Sequence, residues 1–351
     1  YFADGSYRDS RGRLIDVIDP ARLEKVGVIT EVTEAELSDT LDAATAAQRK
    51  WKALDAKTRA TILHKIANRI EATDMRRCAE IMSREMGKPY PEAIGEVANC
   101  AGAFRYFAEM ARDDAGKIAG TTQAGSFQFA RYEPLGLSVH IMPFNFPILL
   151  MCWTVAASLA CGNGCIIKPA PATTLSTLEF MQIFADLPEG LIACLPGGVA
   201  VAEALIASPK THAIAFTGSV AAGRAVAIAA AGQMKPAVIE AGGSDPMIIT
   251  AHAPLDVAAA GAVTAAFHMS GQVCTSAERF FVVDAVHDAF IDKFVAETKR
   301  LRIGNGLTKA EIGPLVSEAA RAKVIRLVED AVAKGAKVEI GGRIPPSEPV
   351  G

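Results

Sequence analysis

One cysteine in this chain stands in a setting unlike the rest. Gly271-Gln272-Val273-Cys274-Thr275-Ser276 places it beside a glycine hinge, after an alanine-rich helical stretch (257–268) and before the strand-like run Phe280-Phe281-Val282-Val283. Upstream, Glu240 closes another strand-like run, Ala237-Val238-Ile239-Glu240, and is followed by Ala241-Gly242-Gly243. A thiol that can attack and a carboxylate that can activate water are the two parts of covalent catalysis at a carbonyl. Both sit at the ends of expected elements, where function-bearing residues concentrate. The pattern reads as an enzyme with a cysteine nucleophile.

Cys78, Cys100, Cys152, Cys161, Cys165 and Cys194 fall mostly in apolar stretches, the setting of small buried hydrophobes. Seven cysteines is an odd count and no C-x-x-C pair occurs, so neither a metal site nor a secreted disulfide framework is expected. A cysteine hydrolase without a redox step would need a histidine base. None of His64, His140, His212, His252, His268 or His287 has a neighbourhood that marks it as one, and His268 reads as packing or surface.

The elements that must position these groups follow from composition and period. With 351 residues, half of them hydrophobic, and a net charge of −3, the chain has room for two domains and a large core. Its scattered basic residues give no footprint for nucleic acid or an anionic membrane. The longest apolar run (144–167) is broken by Asn145, Pro147, Gly162, Asn163 and Gly164, so it reads as strand–helix–strand rather than a membrane span, and the cytoplasm is the expected location. The chain starts at Tyr1 and stops in the loop-like Gly341-Gly342-Arg343-Ile344-Pro345-Pro346, which suggests part of a longer protein.

Residues 1–118 read mainly as helical scaffold. Thr33-Glu34-Ala35-Glu36 is a capping box, Asp55 caps a second helix, and a long helix is expected over 91–111. Residues 119–136, with Gly120-Thr121-Thr122, Gly125 and the alternating Phe127-Gln128-Phe129-Ala130-Arg131, read as strands of an excursion that could pair with another subunit. From Leu137 a regular alternation begins: strands at 137–142, 164–168, 191–195, 212–216 and 236–240, with helices at 147–160, 173–185, 200–207 and 220–231 between them. That is a series of βαβ units building a parallel sheet, with ligands expected at the carboxyl ends of the strands. A second α/β segment spans 241–351, carries Cys274 and ends unfinished.

No G-x-G-x-x-G is present, but Phe216-Thr217-Gly218-Ser219-Val220-Ala221-Ala222-Gly223 sets glycine and serine between a strand and a helix. Such a turn can hold a pyrophosphate on free N–H groups, or it can simply turn the chain and cap the helix. Lys168, in Lys168-Pro169-Ala170-Pro171 after the strand Cys165-Ile166-Ile167, either donates to a ribose or phosphate or is a solvated surface lysine.

With Asn145, Lys168, Gly218-Ser219, Glu240 and Cys274 in this order, the chain resembles the aldehyde dehydrogenase superfamily. Met142-Pro143-Phe144-Asn145-Phe146-Pro147 is similar to its P-[WF]-N-[FY]-P signature, Phe216-Thr217-Gly218-Ser219 to its F-T-G-S turn, Glu240-Ala241-Gly242-Gly243 to its E-L-G-G element, and Gly271-Gln272-Val273-Cys274 to its G-Q-x-C. The resemblance implies an α/β enzyme: a Rossmann-like parallel-sheet cofactor domain (1–118 and 137–240), a small β-hairpin oligomerisation excursion (119–136) and a second α/β catalytic domain (241–351), incomplete at its C-terminus. It implies oxidation of an aldehyde to a carboxylic acid through a thioester, with NAD or NADP as cofactor, in a homodimer or homotetramer. Cys274 would be the nucleophile, Glu240 the general base and Asn145 an oxyanion donor. Lys168, Pro171, Gly218, Ser219, Gly223 and Phe144 would line the cofactor site, and Phe146, Leu150, Trp153, Val273 and Thr275 the substrate pocket.

Two departures bear on function. The family's later segment, which carries a glutamate for the nicotinamide ribose and a C-terminal pairing strand, is not visible; a catalytically silent dinucleotide-binding protein is the alternative that follows. Many NAD-preferring members carry a glutamate three positions after the ribose lysine, where this chain has Pro171, so nothing there repels a 2′-phosphate. The semialdehyde-oxidising members place an arginine at the Trp153 position; its absence favours an apolar aliphatic or aromatic aldehyde over succinate semialdehyde.

Overall fold

The computed structural model describes residues 1–113, 116–118, 120 and 123–344. The Thr121-Thr122 part of the excursion and the tail from Pro345 lie outside the described residues. The chain divides into two compact units, Tyr1–Ile15, Ile29–Met75 and Gly95–Glu240 in the first, and Asp16–Val28, Arg76–Ile94 and Ala241–Gly351 in the second.

The first unit is built on a seven-stranded sheet. Its strands lie in the order Ala237–Ala241, Ala213–Gly218, Leu137–Ile141, Gly164–Lys168, Ile192–Cys194, then the short Phe2–Ala3 and Ser6–Tyr7. Leu137–Ile141 pairs in parallel with both neighbours, from Leu137↔Gly164 to Ile141↔Lys168 on one side and from Ala213↔Ser138 to Phe216↔Ile141 on the other. Every residue of Leu137–Ile141 and Gly164–Lys168 is buried, the polar Ser138, His140 and Lys168 included, because both faces of the sheet are covered here. In chain order the sheet grows one way from Leu137–Ile141 and then the other way from Ala213–Gly218. The strand order therefore reverses between these two strands, the position at whose carboxyl ends open parallel sheets bind their ligands.

The helices answer to their caps. Thr33 and Glu36 form the reciprocal capping box that opens Glu34–Lys52, and Asp55 accepts from the Thr58 N–H to open Ala56–Ala72. Trp51 is buried and donates its indole N–H to the Leu159 carbonyl at 2.9 Å, tying the first of these helices to Leu149–Ala160. The long helix runs Tyr90–Met110. The segment expected as a helix over 173–185 instead splits into Pro171–Thr173 and Met181–Phe184 as 3-10 turns around Thr174–Phe180 as α-helix. Proline at the first position, with no N–H to give, accounts for the tight opening turn. The excursion is an antiparallel hairpin pairing Gly116–Ile118 with Phe129–Arg131.

In the second unit Asp245–Ile249 and Ala277–Val282 pair in parallel, joined through the helix Leu255–Phe267. Its core packs Ile249, Ala259 and Ala262 with Phe290, and Phe280, Phe290 and Phe294 form a cluster with ring centroids 5.1 to 6.4 Å apart. Helices Arg76–Met86, His287–Thr298 and Glu318–Ala333 also belong to it. Among the described residues no helix is long and apolar enough to cross a membrane.

Candidate active site

Within the first unit, four of the expected cofactor groups gather at the carboxyl edge of the parallel strands. Phe144 and Asn145 follow Leu137–Ile141, Lys168 ends Gly164–Lys168, and Gly218 and Ser219 follow the neighbouring strand into the helix Val220–Gly232. Ser219 caps that helix, accepting from the Ala222 N–H at 3.3 Å. Gly218 and Gly223 are glycines for lack of space: an added Cβ would lie 2.7 Å from the Phe216 ring at the first and 3.0 Å from Ile239 at the second. The turn thus packs tightly against the sheet at the N-terminus of that helix.

Lys168 is 6% exposed, and its Nζ donates to the Pro169 carbonyl at 3.0 Å. Burial pushes its pKa down to about 8, against the pull of Cys194 and Glu31. An ammonium carries three donors, and a desolvated one calls for more acceptors than a single carbonyl. Ribose hydroxyls or a phosphate would supply them, so the residues present fit a dinucleotide. Pro171 opens the following 3-10 turn, and the Thr173 hydroxyl in that turn is buried without a hydrogen-bond partner among the described residues.

Asn145 accepts from the Phe146 N–H at 3.0 Å. The helix after it is anchored by a residue that sequence reading assigns to scaffold: Glu96, 3% exposed, accepts from the Ile148 N–H at 2.9 Å and the Leu149 N–H at 3.1 Å. A carboxylate on the first N–H groups of a helix satisfies donors that have no intrahelical partner and meets the positive end of the dipole. Phe146 and Leu150 are half-buried and Trp153 is 52% exposed, so the last presents an indole to its surroundings.

Glu31 is a second acidic group outside the motifs. It accepts from the Gly198 N–H at 2.7 Å, which holds its carboxyl below the usual range, and it bears electrostatically on Lys168. Glu240 is exposed at the end of the edge strand Ala237–Ala241 and is the last residue of the first unit.

In the second unit Cys274 is exposed, whereas Cys78, Cys100, Cys152, Cys165 and Cys194 are buried. Cys161, expected among the buried ones, is exposed as well, because it caps the C-terminus of Leu149–Ala160. The chain reaches Cys274, flanked by Val273 and Thr275, through three left-handed residues in a row: Met269 (φ 51°), Ser270 (φ 60°) and Gly271 (φ 73°). Left-handed backbone costs a residue with a Cβ about 1–2 kcal/mol, so two of these positions are strained. Side chains hold the path: Ser270 Oγ donates to the Gly313 carbonyl at 2.8 Å, and Gln272 Oε1 accepts from the Val316 N–H at 2.9 Å. The Gly242-Gly243 turn lies alongside, since an added Cβ on Gly243 would stand 3.8 Å from the Cys274 carbonyl oxygen. Glu278 fixes that turn by accepting from the Asp245 N–H at 2.7 Å.

The second unit carries an exposed thiol after a left-handed turn, and the first carries a buried lysine and a tight glycine turn at the carboxyl ends of parallel strands. The sequence profile of the aldehyde dehydrogenase family matches residues 7–351, and the chain belongs to that family. It is 34% identical over 354 residues to betaine aldehyde dehydrogenase of Bacillus subtilis (strain 168), covering 98% of this chain and 71% of that protein. Among solved structures it superposes on an NADP-dependent enzyme of E. coli with a TM-score of 0.93 at 35% identity, covering 98% of this chain and 72% of the other. PnpE from Pseudomonas sp. WBC-3, solved in complex with nicotinamide adenine dinucleotide, gives 0.93 at 32% identity, covering 99% and 72%. Aldehyde oxidation, the activity of that family, is the activity of this chain.

Proposed function

We propose that Cys274 is the covalent nucleophile, Glu240 the base that activates water, and Asn145 a donor to the oxyanion. The first unit is the dinucleotide-binding domain and the second the catalytic one. The observation that carries the reading is the contrast among the cysteines: five are sealed in the core, and of the two exposed Cys161 ends a helix while Cys274 stands on the loop after the left-handed turn. Cys274 Sγ adds to the aldehyde carbon, and the oxygen becomes an alkoxide that the Asn145 amide and the Cys274 N–H stabilise, each such donor being worth about 3–4 kcal/mol of barrier. NAD(P), when bound, supplies the hydride acceptor. Loss of hydride from the tetrahedral carbon leaves a thioester on Cys274. Glu240 takes a proton from water, the resulting hydroxide attacks the thioester carbon, and the thiolate leaves as the carboxylic acid forms. Lys168, Phe144, Pro171, Gly218, Ser219 and Gly223 hold and orient the cofactor.

The substrate is an apolar aliphatic or aromatic aldehyde, supported by Phe146 in the bend after Asn145, by Leu150 and the exposed Trp153 indole on the helix Leu149–Ala160, and by Val273 and Thr275 beside the thiol. NADP is used at least as well as NAD, because Pro171 offers no carboxylate to repel a 2′-phosphate. A panel of aldehydes with each cofactor, read by absorbance of the reduced form, tests these assignments together. Turnover should be highest with apolar aldehydes, proceed with NADP, and vanish in Cys274→Ser. Wild-type turnover in that variant would remove Cys274 from the mechanism.

The protein assembles as a homodimer or homotetramer through the hairpin, on which Ile118, Phe127, Phe129 and Tyr132 are exposed. Its free thiols, two of them exposed, suit a reducing compartment such as the cytoplasm, which cell fractionation would check.

A further inference from the structure

The left-handed segment ahead of Cys274 is gripped by a carboxylate from a helix 177 residues away in sequence. Glu92, in the first turn of Tyr90–Met110, accepts from the Met269 N–H through Oε1 at 3.2 Å, and the same oxygen lies 3.2 Å from His268 Nδ1. Both partners belong to the second unit. The hydrogen bond to Glu92 holds the His268 imidazole above its usual range, which favours the charged pair. The other oxygen of Glu92, Oε2, is buried and has no hydrogen-bond partner among the described residues. A buried carboxylate oxygen without a partner subtracts from stability, so folding alone is a poor reason for a carboxylate here. Its anchoring point is the first of the three consecutive left-handed residues. Loss of that grip would free Met269 and Ser270 to relax out of the left-handed region, and the loop that follows would turn with them.

We propose that Glu92 is a positioning residue for the nucleophile: it fixes the left-handed path of Met269 and Ser270 and so sets where Cys274 is presented. This rests on Cys274 being the nucleophile. Glu92 touches neither the aldehyde nor the cofactor, so its removal should slow chemistry and leave binding in place. The test is made in a Cys161→Ser background, so that Cys274 is the exposed thiol, measuring kcat, both KM values and the rate of alkylation by iodoacetamide. Glu92→Met should lower kcat and alkylation about tenfold with both KM values within about twofold, the pattern of a misplaced reacting group. Glu92→Gln, whose amide oxygen still accepts from Met269, should stay within about threefold of wild type, and adding Met269→Asn to Glu92→Met should recover about threefold, because asparagine tolerates left-handed backbone. Glu92→Asp is one methylene short of the Met269 N–H and should lose kcat several-fold at an unchanged melting temperature, which keeps the test open if Glu92→Met fails to fold. Wild-type kcat in Glu92→Asp, a loss confined to KM, or equal loss in the Gln and Met variants would overturn the proposal. Failure of the nucleophile assignment shows separately, as turnover in Cys274→Ser.

Discussion

Lys168 shows how burial turns an ordinary side chain into a pH-dependent binding group. Burial pushes the pKa of the Lys168 ammonium down to about 8, well below that of a free lysine. Sign matters here: a depressed lysine is charged below its folded pKa and neutral above it, so cofactor affinity that depends on its charge is present at lower pH and fades as pH rises. Equilibrium titration of the reduced cofactor by fluorescence should show affinity falling between about pH 7 and pH 9.5, while Lys168→Met binds weakly at every pH. Flat wild-type affinity over that range would mean the ammonium is not a cofactor ligand. Such behaviour is invisible in the string Lys168-Pro169-Ala170-Pro171, which leaves a surface lysine equally plausible; the difference lies in the strands that cover it. The same holds for Glu31, whose influence on Lys168 arises through a turn far along the chain at Gly198.

At the level of elements, the alternation from Leu137 onward is legible because each strand is a short, largely apolar run set between helical stretches, one of them with a serine cap at Ser219. The capping box at Thr33 and the cap at Asp55 are legible for the same local reason. Glu92 and Glu96 are not. Both look like helix-surface acids in a stretch that reads as scaffold, yet one grips the thiol loop and the other caps the helix that follows Asn145. Their partners are brought to them by folding, and no short-range pattern records that. Removing Glu96 should therefore act on an element: Glu96→Ala leaves the Ile148 and Leu149 N–H groups buried without an acceptor and should cost about 2–4 kcal/mol, read from the denaturant midpoint. Glu96→Gln keeps one acceptor and should cost about 1 kcal/mol, the loss of charge at the helix terminus. Equal stability of the alanine variant and the wild type would show that the helix start is held by something else.

For the whole molecule, the exposed aromatic and aliphatic side chains of the hairpin Gly116–Ile118/Phe129–Arg131 bear on assembly. Phe129→Asp should shift the sedimentation coefficient toward that of a monomer; an unchanged coefficient would place the subunit contact elsewhere. In the proposed mechanism Cys274 carries the acyl group and Glu240 releases it. The most direct measurement mixes Glu240→Gln with a turned-over aldehyde and NAD(P), follows the first turnover, and then takes the mass of the quenched protein and its peptides. The account predicts a burst of about one reduced cofactor per subunit, a slow steady state, and an acyl adduct on the peptide that contains Cys274. A steady-state rate equal to wild type with no burst, or an adduct on any other residue, would contradict it.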